Sequence, residues 1–304
     1  MYALRPSWMG STAAAISSLV LATCALQGQA NAADANVKSA EDWFRQGVDN
    51  LGTGKLDEAT TAFQFCVQAK PDMKECWYNL GIAFGRRRDF ASEAKAYERA
   101  LELDPKYARA HFNLAVSCED LGRQGDALRH YDAAIAYDPT ALDAWLNRSM
   151  LQLSMEKFDD AIAGFEHAIG MQPDNAESYY NLAQAVQVKG GRLQEPQRTQ
   201  LLRRAVSHYQ QCVQKDPKHH RALYNVGVVQ HKLGDLDQEV AAYRKVLELK
   251  PNYTPALFNL ALALRDKGDK VAARAGFQAY LLAAGTQASE ARFVEVARKE
   301  LAKL

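Results

Sequence analysis

The chain has 304 residues, of which 48% are hydrophobic and 24% are charged, and these are the values of a folded protein rather than a disordered or membrane-embedded one. It carries 37 basic and 36 acidic residues, so its formal net charge is +1. A protein without a basic excess is poorly suited to a phosphate backbone, and we therefore expect no nucleic acid partner.

The first 32 residues differ from the rest of the sequence. They carry one charge, on Arg5, and then an uncharged apolar run over 13–26 and the small residues Ala-Asn-Ala over 30–32. This order is typical of a secretory signal peptide, here 1–32, followed by a short linker over 33–39. The apolar run is shorter than the roughly 20 residues that a membrane span needs, so we expect no integral span in the mature chain.

Cleavage of such a segment predicts export, most readily to a bacterial periplasm. Two alternatives stay open. The segment could remain as an N-terminal membrane anchor, or Cys24 could carry a lipid, although Thr23 stands where a lipoprotein signal normally has a smaller residue.

A repeat of 34 residues dominates the remaining sequence. When the repeat is numbered from position 1, position 32 is proline, which cannot continue a helix, and positions 8 and 20 are mostly small, which lets two helices approach. Each repeat is therefore predicted to be a pair of antiparallel helices that packs on its neighbours. Position 24 is always aromatic: Phe63, Tyr97, Tyr131, Phe165, Tyr209, Tyr243 and Phe277.

Seven repeats account for residues 40–287. The fifth has ten additional residues, near 190–199, which we place between its two helices, and we expect its second helix to start early and run long. Residues 288–304 are predicted to form a capping helix. The predicted repeats are 40–73, 74–107, 108–141, 142–175, 176–219, 220–253 and 254–287.

Two stretches, WYNLGIAF from Trp77 and FNLALALRDKGD from Phe258, resemble tetratricopeptide repeats. The resemblance implies an all-α fold, a right-handed superhelical solenoid of helix hairpins with a C-terminal capping helix. It also implies a non-enzymatic protein that binds partners in a concave groove. Some residues depart from the pattern, since Glu93 and Glu239 replace the small residue of position 20 and Gly285 replaces the last proline.

The predicted groove is lined by two neighbouring positions of the first helices, which the resemblance places on the inner wall. Position 6 is asparagine in six repeats, and its amide can pair with the backbone of a bound peptide without reading side chains. Position 5 is mostly aromatic and offers apolar contact area. A role in helix packing is the alternative for both rows. The predicted peptide-binding residues are Asn79, Asn113, Asn147, Asn181, Asn225, Asn259, Tyr78, Phe112, Tyr180, Tyr224 and Phe258.

The sequence carries no signature of catalysis. It has no H-E-x-x-H, no P-loop, no G-x-S-x-G and no G-x-G-x-x-G, so we expect no enzyme activity, no cofactor and no metal site. Cys66 and Cys76 fall at the junction of the first two repeats. A disulfide is permitted there in an exported protein, and two small buried residues are the alternative.

These observations predict a scaffold or adaptor that binds a protein or peptide partner. We expect it to serve the assembly of a bacterial envelope machine, such as a pilus, an exopolysaccharide exporter or a cell-wall complex, with membrane association through that complex. Two other functions stay open, a periplasmic holding chaperone for extended peptides and an enzyme whose site carries no recognised motif.

Overall fold

A computed structural model describes residues 38–285 and 287–304. The expected signal peptide over 1–32 lies outside the described residues. Within those ranges the chain is all-α, and its helices are joined by short turns. The α-helices are α1 (Ala40–Gly52), α2 (Leu56–Ala69), α3 (Lys74–Arg86), α4 (Phe90–Leu103), α5 (Ala108–Asp120), α6 (Gln124–Tyr137), α7 (Leu142–Ser154), α8 (Phe158–Met171), α9 (Ala176–Gly191), α10 (Gln197–Lys215), α11 (His220–Leu233), α12 (Leu236–Leu249), α13 (Thr254–Asp266), α14 (Lys270–Ala284) and α15 (Ala291–Leu301).

The helix bounds follow the 34-residue period. Each odd-numbered helix up to α13 starts at position 1 of a repeat, for example α3 at Lys74 and α11 at His220. Each proline of position 32 lies two residues beyond the end of an even-numbered helix, as Pro71 does after α2. The prolines therefore separate successive hairpins, because a proline has no backbone N–H to continue the helical ladder.

The chain divides into two compact modules, an N-terminal module up to Leu151 and a C-terminal module from Gln152. In the N-terminal module, each helix from α1 to α5 packs on the next one, and α1 also contacts α3. In the C-terminal module, each helix from α8 to α14 packs on the next one. Each module is thus a stack of helix hairpins in which every hairpin covers the apolar side of its neighbour.

The core of each hairpin is the aromatic ring of position 24, which lies directly against the backbone of the first helix. Tyr97, for example, is 1% exposed. A Cβ atom added to Gly81, at position 8, would lie 2.5 Å from Cε1 of that ring. Gly47 and Gly227 stand in the same relation to Phe63 and Tyr243. The small residue of position 8 is therefore required by the close approach of the ring.

The second helix of the fifth repeat starts early and runs long, as expected, and its first helix is extended as well. α9 has 16 residues and α10 has 19, whereas their counterparts α11 and α12 have 14 each. Only residues 192–196 separate the two long helices. A Cβ atom added to Gly190 would lie 3.0 Å from that of Leu201, so the extension is packed rather than looped out.

The C-terminal residues form a 3₁₀ turn, Ala288–Glu290, and α15. Val294, Ala297 and Leu301 pack against the core of the last hairpin. The Glu290 carboxylate accepts hydrogen bonds from the Tyr280 hydroxyl, at 2.8 Å, and from Thr254 Oγ1, at 3.0 Å. The segment therefore covers the apolar end of α13 and α14.

Cys66 on α2 and Cys76 on α3 are joined as a disulfide, with their Cα atoms 5.9 Å apart. The bond ties the first hairpin to the second. Cys118 and Cys212 are buried free thiols, and burial raises the pKa of both.

Candidate peptide-binding face

The residues predicted to bind peptide lie on the first helices of the hairpins. In each module, positions 2, 5, 6 and 9 of these helices form a surface that we call the first-helix face. Asn79, Asn113, Asn225 and Asn259 are half-buried. Asn147 and Asn181 are 1% and 2% exposed. The six asparagines thus occupy equivalent positions with unequal access to solvent.

The aromatic residues of position 5 pack against the position-24 ring of their own repeat. The ring centroids of Tyr224 and Tyr243 are 5.7 Å apart, and those of Phe112 and Tyr131 are 5.8 Å apart. Tyr78 and Tyr224 are half-buried, whereas Phe112, Tyr180 and Phe258 are buried. The row consequently supplies packing to each hairpin and leaves two tyrosines accessible in part.

The asparagine amides reach back to tyrosines of the preceding repeat. Nδ2 of Asn225 lies 3.3 Å from the Tyr180 hydroxyl and 3.2 Å from the Tyr209 hydroxyl. Nδ2 of Asn259 lies 3.0 Å from the Tyr224 hydroxyl and 3.3 Å from the Tyr243 hydroxyl. The tyrosines of positions 5 and 24 thus hold the asparagine of the next repeat in one orientation.

Asn113 makes the same connection in the N-terminal module. Its Nδ2 atom donates to the Tyr78 hydroxyl at 3.1 Å and the side chain is also hydrogen-bonded to Tyr97. The link between position 6 and the two preceding tyrosines is therefore present in both modules.

The core tyrosines are themselves paired with a carboxyl or amide group of their own hairpin. The Tyr131 hydroxyl donates to Oε1 of Glu119, and the Tyr209 hydroxyl donates to Oε1 of Gln187 at 2.7 Å. These partners come from position 12. In the repeat of Tyr97 the acid comes instead from position 20, as Glu93. In the repeat of Tyr243, Glu239 of position 20 lies near enough for its charge to raise the pKa of the tyrosine.

The two glutamates that depart from the small-residue pattern of position 20 are explained by these pairs. A Cβ atom added to Gly85, at position 12, would collide with the Glu93 carboxylate. The missing side chain at position 12 therefore leaves the space that Glu93 of position 20 fills. His231, at position 12 of the sixth repeat, lies with Nδ1 3.1 Å from the Glu239 carboxylate.

The repeats with phenylalanine at position 24 lack the whole arrangement. In the first and fourth repeats, Phe63 and Phe165 accompany leucine at position 12 and alanine at position 20. The asparagine that follows Phe63 is Asn79, and its Nδ2 donates to the Glu75 carbonyl of its own helix at 2.8 Å. The Nδ2 atom that follows Phe165, on Asn181, has no hydrogen-bond partner within the described ranges.

Positions 12, 20 and 24 are therefore coupled in the sequence: tyrosine at position 24 occurs with an acid or amide at position 12 or 20, and phenylalanine occurs without one. This polar chain is missed when the sequence is read one position at a time. The signal was present, since the covariation can be read across seven aligned repeats of the single chain.

Burial governs the ionisation of the acids in these pairs. It raises the pKa of Glu119 and of Glu239, while hydrogen bonding from Tyr131 and the charge of His231 act in the opposite direction. The first-helix face also carries charge at position 2, where the Arg221 guanidinium lies 4.8 Å from the centroid of the Tyr180 ring.

Neither a metal centre nor a membrane span is found in the part of the chain that the structure describes. No three histidine, cysteine, aspartate or glutamate side chains there are grouped so as to hold a metal ion. None of the described helices combines the length and the apolar character needed to cross a membrane.

Comparison with known families gives matches in one family. The model described as Tetratricopeptide repeat matches residues 44–108, 78–141, 146–195 and 197–254. These ranges cover more than half of the chain and fall on the hairpins described above.

Curated proteins match the chain over short segments. Superkiller complex protein 3 of Mus musculus is 31% identical over 81 residues, which are 27% of this chain and 5% of that protein. The peroxisomal targeting signal receptor of Saccharomyces cerevisiae is 38% identical over 63 residues, which are 21% of this chain and 10% of the receptor. In both cases the chain spans a small fraction of the relative's length.

Solved structures resemble the chain over a larger part. A tetratricopeptide repeat protein from Parabacteroides merdae gives a TM-score of 0.60 at 15% identity, covering 86% of this chain and 97% of its own. The Pseudomonas aeruginosa protein pilF gives 0.57 at 16% identity, covering 71% and 94%. YrrB, described as a TPR protein with an unusual peptide-binding site, gives 0.54 at 18% identity, covering 66% and 97%. At these identities the likeness concerns the fold.

Proposed function

Because the chain belongs to the tetratricopeptide repeat family, we propose that it is a non-enzymatic scaffold that binds a partner protein by holding an extended segment of it on the first-helix face. The observation that carries the proposal is the fixed orientation of Asn225 and Asn259 on consecutive first helices of the C-terminal module. Binding groups that are held in place before the ligand arrives lose little entropy on binding, which favours affinity.

The remaining groups of the face suit the same ligand. Tyr224 is partly exposed beside Asn259, and Val228 lies one turn further along α11. Half-buried aromatic and aliphatic side chains next to fixed polar groups are the usual composition of a protein-binding surface. The face thus offers apolar contact area along with hydrogen-bonding groups that are independent of the ligand's side chains.

We place the protein in the bacterial cell envelope, as an adaptor for the assembly of a pilus, an exopolysaccharide exporter or a cell-wall complex. The order of residues in 1–32 supports export. The disulfide between Cys66 and Cys76 supports an oxidising compartment, because such bonds persist in secreted and periplasmic proteins and are rare in the cytosol.

The proposal is tested by capture of partners from envelope extract with three immobilised proteins. The first is the wild type, the second carries Arg221→Glu and Val228→Asp on the first-helix face, and the third carries Lys245→Glu on the exposed side of α12 as a matched control. We expect one stoichiometric partner on the wild type and on the control, and its loss on the face variant. Equal capture by all three proteins would reject the face as the binding surface. Broad capture of many unfolded chains would favour the holding chaperone.

A further inference from the structure

We propose that Asn225 and Asn259 present hydrogen-bond acceptors, and not amide donors, to the ligand, so that the C-terminal module recognises the N–H groups of an extended polypeptide rather than a carboxylate or a row of carbonyls. This inference rests on the proposed function, whose binding face it specifies. It follows from the number of protons available to each group of the polar chain.

The amide nitrogens of Asn225 and Asn259 use both of their hydrogens within the protein. An asparagine Nδ2 atom carries two hydrogens. For Asn225 they are directed at the Tyr180 and Tyr209 hydroxyls, and for Asn259 at those of Tyr224 and Tyr243. Neither amide nitrogen therefore has a hydrogen left for a ligand.

The proton of the Tyr209 hydroxyl determines which end of the Asn225 amide faces the tyrosines. A tyrosine hydroxyl has one proton, and that of Tyr209 is donated to Oε1 of Gln187 at 2.7 Å. The Tyr209 oxygen can then only accept from Asn225, so the group that faces it must be the NH₂ end. Were Oδ1 placed there, two oxygens would meet without a proton between them.

In the N-terminal module the same series of hydrogen bonds, from asparagine to tyrosine, ends at a carboxylate instead of an amide. Tyr131 donates its proton to Glu119 and is also hydrogen-bonded to Asn147. An ionised carboxylate can only accept, so the direction of the chain runs from asparagine through tyrosine to the acid. In these two repeats the acid or amide of position 12 thereby dictates that the carbonyl end of the asparagine points away from the core tyrosine.

The spacing of the two acceptors follows from the packing of α11 and α13. The bond between Asn259 and Tyr224 shows that α11 and α13 are in contact, and packed helix axes lie about 8–10 Å apart. A polyproline-II segment rises about 3.1 Å per residue with three residues per turn, so its N–H groups recur on one side about every 9 Å. Two N–H groups three residues apart therefore match the two asparagine oxygens, and proline at either place would remove a donor.

The experiment uses a twelve-residue peptide, acetylated at its N-terminus and amidated at its C-terminus, selected from a random library on the wild-type protein. Each backbone amide is replaced in turn by an ester, which removes one N–H and preserves the shape of the chain. We expect two ester positions, three residues apart, to weaken binding by about three- to tenfold each, the range of one neutral hydrogen bond. The other positions should change affinity less than twofold.

A variant assigns the effect to a residue. In Asn225→Ala, one of the two sensitive ester positions should lose its effect while the other keeps it, and titration is done below the melting transition of the variant. Uniform insensitivity to the esters, or a tenfold gain when the peptide carries a free C-terminal carboxylate, would overturn the inference and leave the proposed function standing. Failure to select any peptide that binds the wild type would count against the proposed function itself.

Discussion

Replacing Glu119 by leucine is predicted to cost about 1–3 kcal/mol of unfolding free energy, which is the penalty for a buried polar group without a partner. Tyr131 is fully buried, and its hydroxyl donates to Glu119. Leucine has no acceptor to offer in that place. Glutamine retains one, and Gln187 already accepts from Tyr209 at the equivalent position at 2.7 Å. Glu119→Gln should therefore keep the stability at pH 7, or increase it, since no charge has to be desolvated.

The decisive variant combines Glu119→Leu with Tyr131→Phe. It reproduces the pair that the fourth repeat uses, Leu153 with Phe165, in which neither residue carries a polar group. Removing both partners of a buried hydrogen bond costs less than removing one. We expect the double variant to be more stable than the sum of the single variants by about 1–3 kcal/mol, the usual coupling of residues in direct contact.

The assay is urea unfolding of the wild type, the two single variants and the double variant, followed by far-ultraviolet circular dichroism. Hydrogen exchange of the α5 and α6 amides supplies a local readout, because long repeat arrays do not always unfold in one step. Additive losses in the double variant would refute the reasoning, as would full stability of Glu119→Leu. Either result would mean that the tyrosine and the acid are not coupled.

Three further outcomes are expected. Replacing Cys66 and Cys76 by alanine should lower the unfolding free energy of the first hairpin by about 2.7 kcal/mol, because the disulfide closes a loop of ten residues. Urea unfolding with and without reductant measures this loss, and unchanged unfolding curves would contradict the prediction. Gly81→Ala should lower the unfolding free energy by about 1–3 kcal/mol, because its Cβ would meet the Tyr97 ring. The Cβ of Gly125→Ala meets nothing within 4 Å, so this variant should raise the unfolding free energy by about 1 kcal/mol in thermal melts. Burial raises the folded-state pKa of Glu239 above 4.5, so its ionised form is destabilising near neutral pH and this cost is relieved as the pH falls through the raised pKa. Glu239→Gln should accordingly flatten the pH dependence of stability between pH 7 and 4.5, and an unchanged slope would argue against the burial effect.

The hairpin pattern could be predicted because it depends on local physics. A proline at position 32 must end a helix, and a bulky ring at position 24 needs a small residue opposite, so Pro71 and Gly81 are informative on their own. The helix starts at Lys74 and His220 follow from that period. The fifth repeat was predicted in part: α10 starts early and runs long as expected, whereas the extension of α9 was not predicted, because the pattern does not say how far a helix continues.

The hydrogen bonds of the face could not be predicted from one position at a time. Asn225 and Asn79 occupy the same position and have the same side chain, yet one bonds to the preceding repeat and the other to its own helix. The difference is set by Tyr209 against Phe63, in another helix of another repeat. A row of asparagines thus indicates a binding face, while the direction of each amide depends on the partners that the fold brings to it.

Site-specific photo-crosslinking shows whether a bound peptide lies on the first-helix face. A benzophenone amino acid is placed at Val228 of α11, or at Lys245 of the exposed side of α12, and each protein is irradiated with the selected capped peptide. We expect a covalent adduct from position 228 and none from position 245. An adduct from position 245 alone, or from neither position while the peptide still binds, would contradict it.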